Sequence, residues 1–168
     1  MRRWVILGLI IVTALVLQST VFSDIRLLGA RPELLYMVTI FIAMREGPRE
    51  GMITGFASGM AYDFMLNHPK GMTALTLVLL GYVIGLLRQY IVSPSPWLPV
   101  VLAFVGTFGG LLFYAILASF VGELQVGWAY VLRVALLASV YNALLAPIVY
   151  PIIRRVTERS RNQAVFRW

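Results

Sequence analysis

The residue that first invites a chemical reading is Asp63, which closes a series of glycines four apart, Gly47, Gly51, Gly55 and Gly59, inside an apolar stretch. A carboxyl in such a stretch costs free energy unless it is paired or neutral, so it should face protein or a polar cavity. Counted from Gly51 it lies about 18 Å along a helix, roughly one turn inside the far boundary of a span. As a functional group it would be a proton or cation site, or a contact with a partner. As a structural group it would be a rim carboxyl satisfied by Arg133, His68 or nearby backbone. The structural reading is favoured, because a relay needs more than one station and no second acid lies inside an apolar run. His68 is the sole histidine and stands beside Pro69 in a short polar link. A metal site needs three or four ligands, so His68 reads as a turn residue.

The chain has no cysteine, which excludes disulfides, thiolate metal sites and a Cys nucleophile. No Ser-His-Asp arrangement, H-E-x-x-H, G-x-S-x-G or Gly-rich phosphate loop is present. The expectation is a protein that is not an enzyme and that takes no metal or cofactor. The glycines read instead as packing positions. Residues four apart share a helix face, and where side chains are missing a neighbouring helix can approach closely and gain contacts that lipid does not better. Gly51, Gly55 and Gly59 form one such stripe; Gly81 with Gly85 and Gly106 with Gly110 repeat it, and Ala138, Asn142 and Ala146 form another. Packing within the chain is favoured over a dimer interface, because several helices in so short a chain must pack mostly on each other. Asn142, with Asp63, is a candidate polar contact within the membrane or with a partner.

The elements that must carry these residues are membrane spans. Of 168 residues 60% are hydrophobic and 12% charged, with a mean hydropathy of +0.85, far from the balance of a soluble domain. Apolar runs cover Trp4 to Phe22, Leu34 to Met44, Gly51 to Leu66, Gly71 to Leu87, Trp97 to Val121 and about Ala129 to Ile153. The first is long enough, and its flank unlike enough to a cleavage site, to be a retained helix rather than a signal peptide. The second, at about 17 Å, is too short to cross a core of roughly 30 Å alone; it must be extended, tilted into protein, or re-entrant. The expected fold is all-α and polytopic, with six transmembrane helices in one domain, 1–153, and a basic cytoplasmic tail, 154–168. The net charge of +7 reads as the positive-inside rule and not as a nucleic-acid surface. With the N-terminus inside, the inner segments hold Arg2, Arg3, Arg45, Arg49, Arg88, Arg154, Arg155, Arg159, Arg161 and Arg167, and the outer ones only Arg26, Arg31, Lys70 and Arg133. That bias calls for an even number of crossings with both termini cytoplasmic. The tail, with Phe166 and Trp168, reads as an anchor at an anionic inner leaflet, with a docking surface for a cytoplasmic protein as the sharper alternative.

Several segments together resemble the rod shape-determining protein MreD family. They are Leu17-Gln18-Ser19-Thr20; Gly29-Ala30-Arg31-Pro32-Glu33-Leu34-Leu35; Gly51-x-x-x-Gly55-Phe56-Ala57-x-Gly59-x-x-x-Asp63; and Gly71-Met72-Thr73-Ala74-Leu75. The resemblance is specific from Gln18 to Gly85; beyond Arg88 it rests on span count and the basic tail. It implies a non-catalytic scaffold of the bacterial cell-elongation machinery in the cytoplasmic (inner) membrane, required for rod shape and for organising peptidoglycan synthesis. The implied partners are MreC, the actin-like MreB, the glycosyltransferase RodA, a penicillin-binding transpeptidase and membrane lipids. The implied fold resembles the substrate-binding component of energy-coupling-factor vitamin transporters. Pro32, Gly55, Gly59, Asp63 and Gly71 match the family pattern and are expected to serve fold or contacts. A transporter substrate-binding subunit is the alternative. It would want a polar ligand pocket and an A-x-x-x-A motif in the first helix, and Trp4 to Phe22 has no such motif. An intramembrane enzyme fails for want of paired catalytic groups.

Overall fold

The computed structural model describes residues 2–24, 30–65, 70–90 and 95–162. Among them six α-helices follow one another with no strand: α1 (Arg2–Asp24), α2 (Leu34–Glu46), α3 (Pro48–Met65), α4 (Met72–Leu87), α5 (Leu98–Val121) and α6 (Trp128–Asn162), with a 3₁₀ turn at Arg88–Tyr90. The fold is all-α, as the apolar runs require. By length and composition three described segments could cross a membrane: Met72–Tyr90, Leu98–Val121 and Trp128–Glu158. Helix ends follow local chemistry. Pro48 opens α3 and Pro99 lies in the first turn of α5, where a missing N–H costs nothing. Gly47 turns α2 into α3 at φ 101°, and Gly122 ends α5 at φ 79°, in the region that favours glycine.

The short second segment lies at the centre. Every residue from Leu34 to Met44 is buried, as a helix apolar on all sides must be. It extends only to Glu46 and presents no face to lipid, so it need not match a bilayer. The other helices wrap it. Gly106 and Gly110 of α5 lie against Ile40 and Tyr36, Tyr150 of α6 sets its ring edge-on to Phe41 at 5.4 Å, and α1 turns Leu7, Ile11, Ala14 and Gln18 inward while Val5, Leu9, Val12 and Val16 stay exposed.

Contacts fix the helix directions. Gly51 meets Gly81, Gly55 meets Leu77 and Gly59 meets Ala74, so α3 and α4 are antiparallel. Asn142 bonds to Glu33 and Glu158 to Arg45, so α6 runs parallel to α2. Helices α2, α4 and α6 thus run one way and α1, α3 and α5 the other. The start of α1 and the end of α6 lie at the bundle end that carries Arg45 and Arg88. Helix α6 runs unbroken past Ile153, so the division expected between 153 and 154 falls inside a continuous helix. Arg26, Gly29, His68, Pro69, Phe166 and Trp168 lie outside the described residues.

Candidate functional site

Glycine spacing on α3 sets the geometry around Asp63. A Cβ placed on Gly55 would lie 2.3 Å from the Leu77 carbonyl oxygen, and one on Gly59 would lie 2.4 Å from the Ala74 Cα. A Cβ on Gly81 would lie 2.3 Å from the Gly51 oxygen, and one on Gly85 2.3 Å from the Pro48 Cα. Backbone therefore touches backbone along the whole α3–α4 seam. One turn beyond Gly59 the same face carries Asp63, which this approach brings to the first turn of α4. Asp63 Oδ2 accepts from the backbone N–H of Gly71 at 2.8 Å and of Ala74 at 3.2 Å, and Oδ1 accepts from Thr73 N–H at 3.3 Å. Lys70 Nζ donates to the Asp63 backbone oxygen at 2.8 Å. The cap position of α4 is Gly71, at φ 98° and without a side chain to cap with; Asp63 supplies that cap from the neighbouring helix. Its charge also sits where the helix dipole favours an anion. Among the partners considered for Asp63, backbone is the one found. Arg133 is exposed on α6, and His68 is not among the described residues.

A second polar cluster surrounds the start of α2. Asn142, fully buried, accepts from Glu33 N–H at 3.0 Å through Oδ1, and its Nδ2 donates to the Glu33 carbonyl at 3.1 Å and to Thr107 Oγ1 at 2.8 Å. Gln18 of α1 accepts from Leu35 N–H at 3.2 Å and donates to Glu33 Oε2 at 2.7 Å. Arg31 pairs with Glu33 Oε1 at 3.3 Å and donates to the Tyr62 hydroxyl of α3. The first N–H groups of a helix lack intrahelical partners, and the start of α2 is buried away from water. Side chains of α1 and α6 therefore take the place of water. In the link ahead of α2, burial raises the Glu33 carboxyl above its ordinary value, with Arg31 and Gln18 pulling against that shift. Pro32 is buried between Arg31 and Glu33.

At the opposite end of the bundle Arg45 donates to Glu158 Oε1 at 2.9 Å, and Arg154 shares the same oxygen at 2.9 Å. All three side chains are partly exposed, so the triad contributes little stability; it fixes where the end of α6 lies.

Gln18 and Glu33 stood in the sequence only as members of the family-like segments, with no role attached, and Tyr62 and Thr107 did not stand out at all; together they carry the second cluster. The signal available was position rather than type. Gln18 falls on the buried face of α1, seven residues after Ile11 and four after Ala14. Chemically, both clusters bind the chain to itself, because carboxylate, amide and guanidinium groups are spent on backbone and on one another. Among the described residues no three His, Asp or Glu side chains come together to hold a metal ion.

Comparison with curated proteins and with solved structures gives no match, so the expected likeness to the energy-coupling-factor component gains no support there. A family model described as rod shape-determining protein MreD matches residues 1–157. The chain belongs to that family.

Proposed function

We propose that this rod-shape-determining membrane protein is a non-catalytic scaffold of the cell-elongation machinery, organising peptidoglycan synthesis with MreC and MreB, alongside RodA and a penicillin-binding transpeptidase. It crosses the bacterial inner membrane six times with both termini in the cytoplasm. The observation that carries this reading is the family match over residues 1–157. The polar interior supports it. Asp63 and Asn142 are engaged with backbone at the starts of α4 and α2, which suits a rigid framework better than a carrier that must keep polar groups for a ligand. Charge supports the orientation. Arg45, Arg49, Arg88, Arg154 and Arg155 share the bundle end at which α1 begins and α6 finishes, the arrangement expected of a cytoplasmic side. Gly51, Gly55, Gly59, Gly81, Gly85, Gly106 and Gly110 hold helices together in this scheme, and Pro32 and Gly71 shape the entries to α2 and α4.

Affinity purification in mild detergent with mass spectrometry tests the reading. MreC should co-elute. Recovery of a coupling-factor ATPase in its place would overturn the scaffold assignment.

A further inference from the structure

Helix α6 has two sides. Ala135, Ala138, Ser139, Asn142, Ala146 and Ile153 face the bundle and are buried, while Leu136, Val140, Leu144 and Ile148 are exposed. At 3.6 residues per turn Arg133, Leu136, Leu144 and Pro147 all fall within about 40° of the line through Val140, so one open strip runs along the helix. The segment Trp128–Glu158 is long and apolar enough to cross a membrane.

The strip is apolar in its side chains but not in its backbone. Pro147 and Pro151 stand inside α6 and have no N–H, so the carbonyls of Ala143 and Pro147 lose the donors that a helix supplies four residues ahead. A helical carbonyl points along the axis toward that donor, which places both on the side of the two prolines; Pro147 is exposed. Counted from Ile153, the last residue before Arg154, Ala143 lies about 15 Å and Pro147 about 9 Å into the span, within a hydrocarbon core of roughly 30 Å. A carbonyl freed at that depth needs a donor from a hydroxyl, a neighbouring helix or an ordered water. The Ser139 and Thr157 hydroxyls of α6 are spent elsewhere, on Ala135 O at 2.6 Å and on Ile153 O. Acyl chains offer no donor at all. Toward the outer end of the strip Arg133 is exposed, about 8 Å from the helix start at Trp128, and makes no ion pair with any described residue.

We propose that this strip is the docking face for one membrane-spanning helix of a partner protein. That helix carries a Ser, Thr, Asn or Gln donor at the depth of Ala143 and Pro147 and an Asp or Glu at the depth of Arg133. The chemistry selects against other occupants. A second copy of this chain, related by a two-fold axis along the membrane normal, would set Arg133 against Arg133, and its own strip brings no side-chain donor to the carbonyls. Lipid phosphate can answer Arg133 but not the carbonyls. The docking face rests on the scaffold reading above and gives that scaffold a surface.

The test replaces Leu144 by p-benzoylphenylalanine in the full chain in its own cell membrane, with exposed Val83 of α4 as the control position, and identifies the photoadducts by mass spectrometry. Position 144 should give a protein adduct whose cross-linked peptide is a membrane-spanning segment with the stated donor and acid, and position 83 should not. Adducts to lipid alone, to a second copy alone, or to a segment without a donor overturn the proposal. Pro147→Ala with Pro151→Ala restores both N–H groups and should cut the adduct on the order of fivefold to tenfold, the worth of two hydrogen bonds between membrane helices. Arg133→Glu should cut it as well and Arg133→Lys spare it. An adduct undiminished in the proline variant counts equally against the docking face. Should that variant fail to fold, as read by its thermal midpoint, the adduct's identity and the two Arg133 variants decide. The partner's identity separates the two readings. A segment of the right chemistry from a protein outside the elongation machinery upholds the face and sinks the scaffold; adducts to lipid alone, with MreC still co-eluting, sink the face and leave the scaffold.

Discussion

Replacing Gly55 by Ala adds a single methyl group where the structure has no room. The new Cβ would lie 2.3 Å from the Leu77 oxygen, 2.5 Å from its carbon and 2.9 Å from Val78 N, where ordinary contact begins near 3.4 Å. All three are backbone atoms of α4, so no rotamer change relieves them, and α3 and α4 must part by about 1 Å. A gap of that size forfeits roughly a quarter to a half of each contact across the seam, each worth about 0.1–0.2 kcal/mol. With on the order of 40 atom pairs, the number a single buried Leu makes, the loss is about 1–4 kcal/mol. Parting the helices also lengthens the bonds from Asp63 to Gly71, Thr73 and Ala74. The control is Gly109→Ala on α5, where the added methyl meets nothing within 4 Å. Both variants gain the same helix propensity, about 1 kcal/mol, so it cancels in their difference. Unfolding in mixed micelles of rising denaturing-detergent fraction should place Gly55→Ala about 1–4 kcal/mol below Gly109→Ala. Two variants within about 0.5 kcal/mol of each other, inside the usual scatter of neutral surface changes, would refute close backbone packing along this seam.

Asp63→Asn keeps one acceptor for Gly71 and Ala74 but turns an amide donor toward Thr73 N–H, and should lose about 1–3 kcal/mol while still purifying with MreC; Asp63→Leu leaves all three N–H groups unmet and should abolish rod-shape complementation. If Asn folds and binds normally yet fails in complementation as fully as Leu, Asp63 has a titrating role. Asn142→Leu strands both backbone groups of Glu33 and the Thr107 hydroxyl and should lower the thermal midpoint more than Leu144→Asn, a change on the exposed side of α6; the reverse order would show that the Glu33 pairing carries no stability. Reporter fusions at both ends should be active only in the cytoplasm, and a C-terminal fusion active only in the periplasm would remove the six-crossing arrangement.

Hydropathy made the helices legible, because a chain that must bury or lipidate every apolar run declares its spans by composition alone. The apolar runs from Gly71 and from Trp97 begin and end within a residue of α4 and α5. What hydropathy does not carry is neighbourhood. That Leu34 to Met44 was too short to span was readable; that it is the axis of the bundle was not, because an apolar run wrapped in protein and one wrapped in lipid have the same composition. The glycine spacing named a face of α3, and only the coordinates name its partner as α4, at residues fourteen to thirty positions away in sequence.

The polar sites were illegible for a more specific reason. Helix-start rules look for a Ser, Thr, Asp or Asn at the cap and an acid three residues on. Helices α2 and α4 break both rules. Their cap positions are Glu33 and Gly71, and neither makes a side-chain cap bond to its own helix. Both helices start from the same end of the bundle, and both have early N–H groups satisfied from elsewhere: α4 by Asp63 of α3, α2 by Gln18 of α1, with Asn142 of α6 bonded to Glu33 N–H. A cap borrowed from another helix has no fixed sequence offset, so no local pattern reveals it. It has a physical consequence that a local cap lacks, since the start of one helix cannot form until its neighbour is in place. Pro32, Gly59, Asp63 and Gly71 all stand at these two entries, where a change of one residue alters how two helices meet rather than how one helix begins.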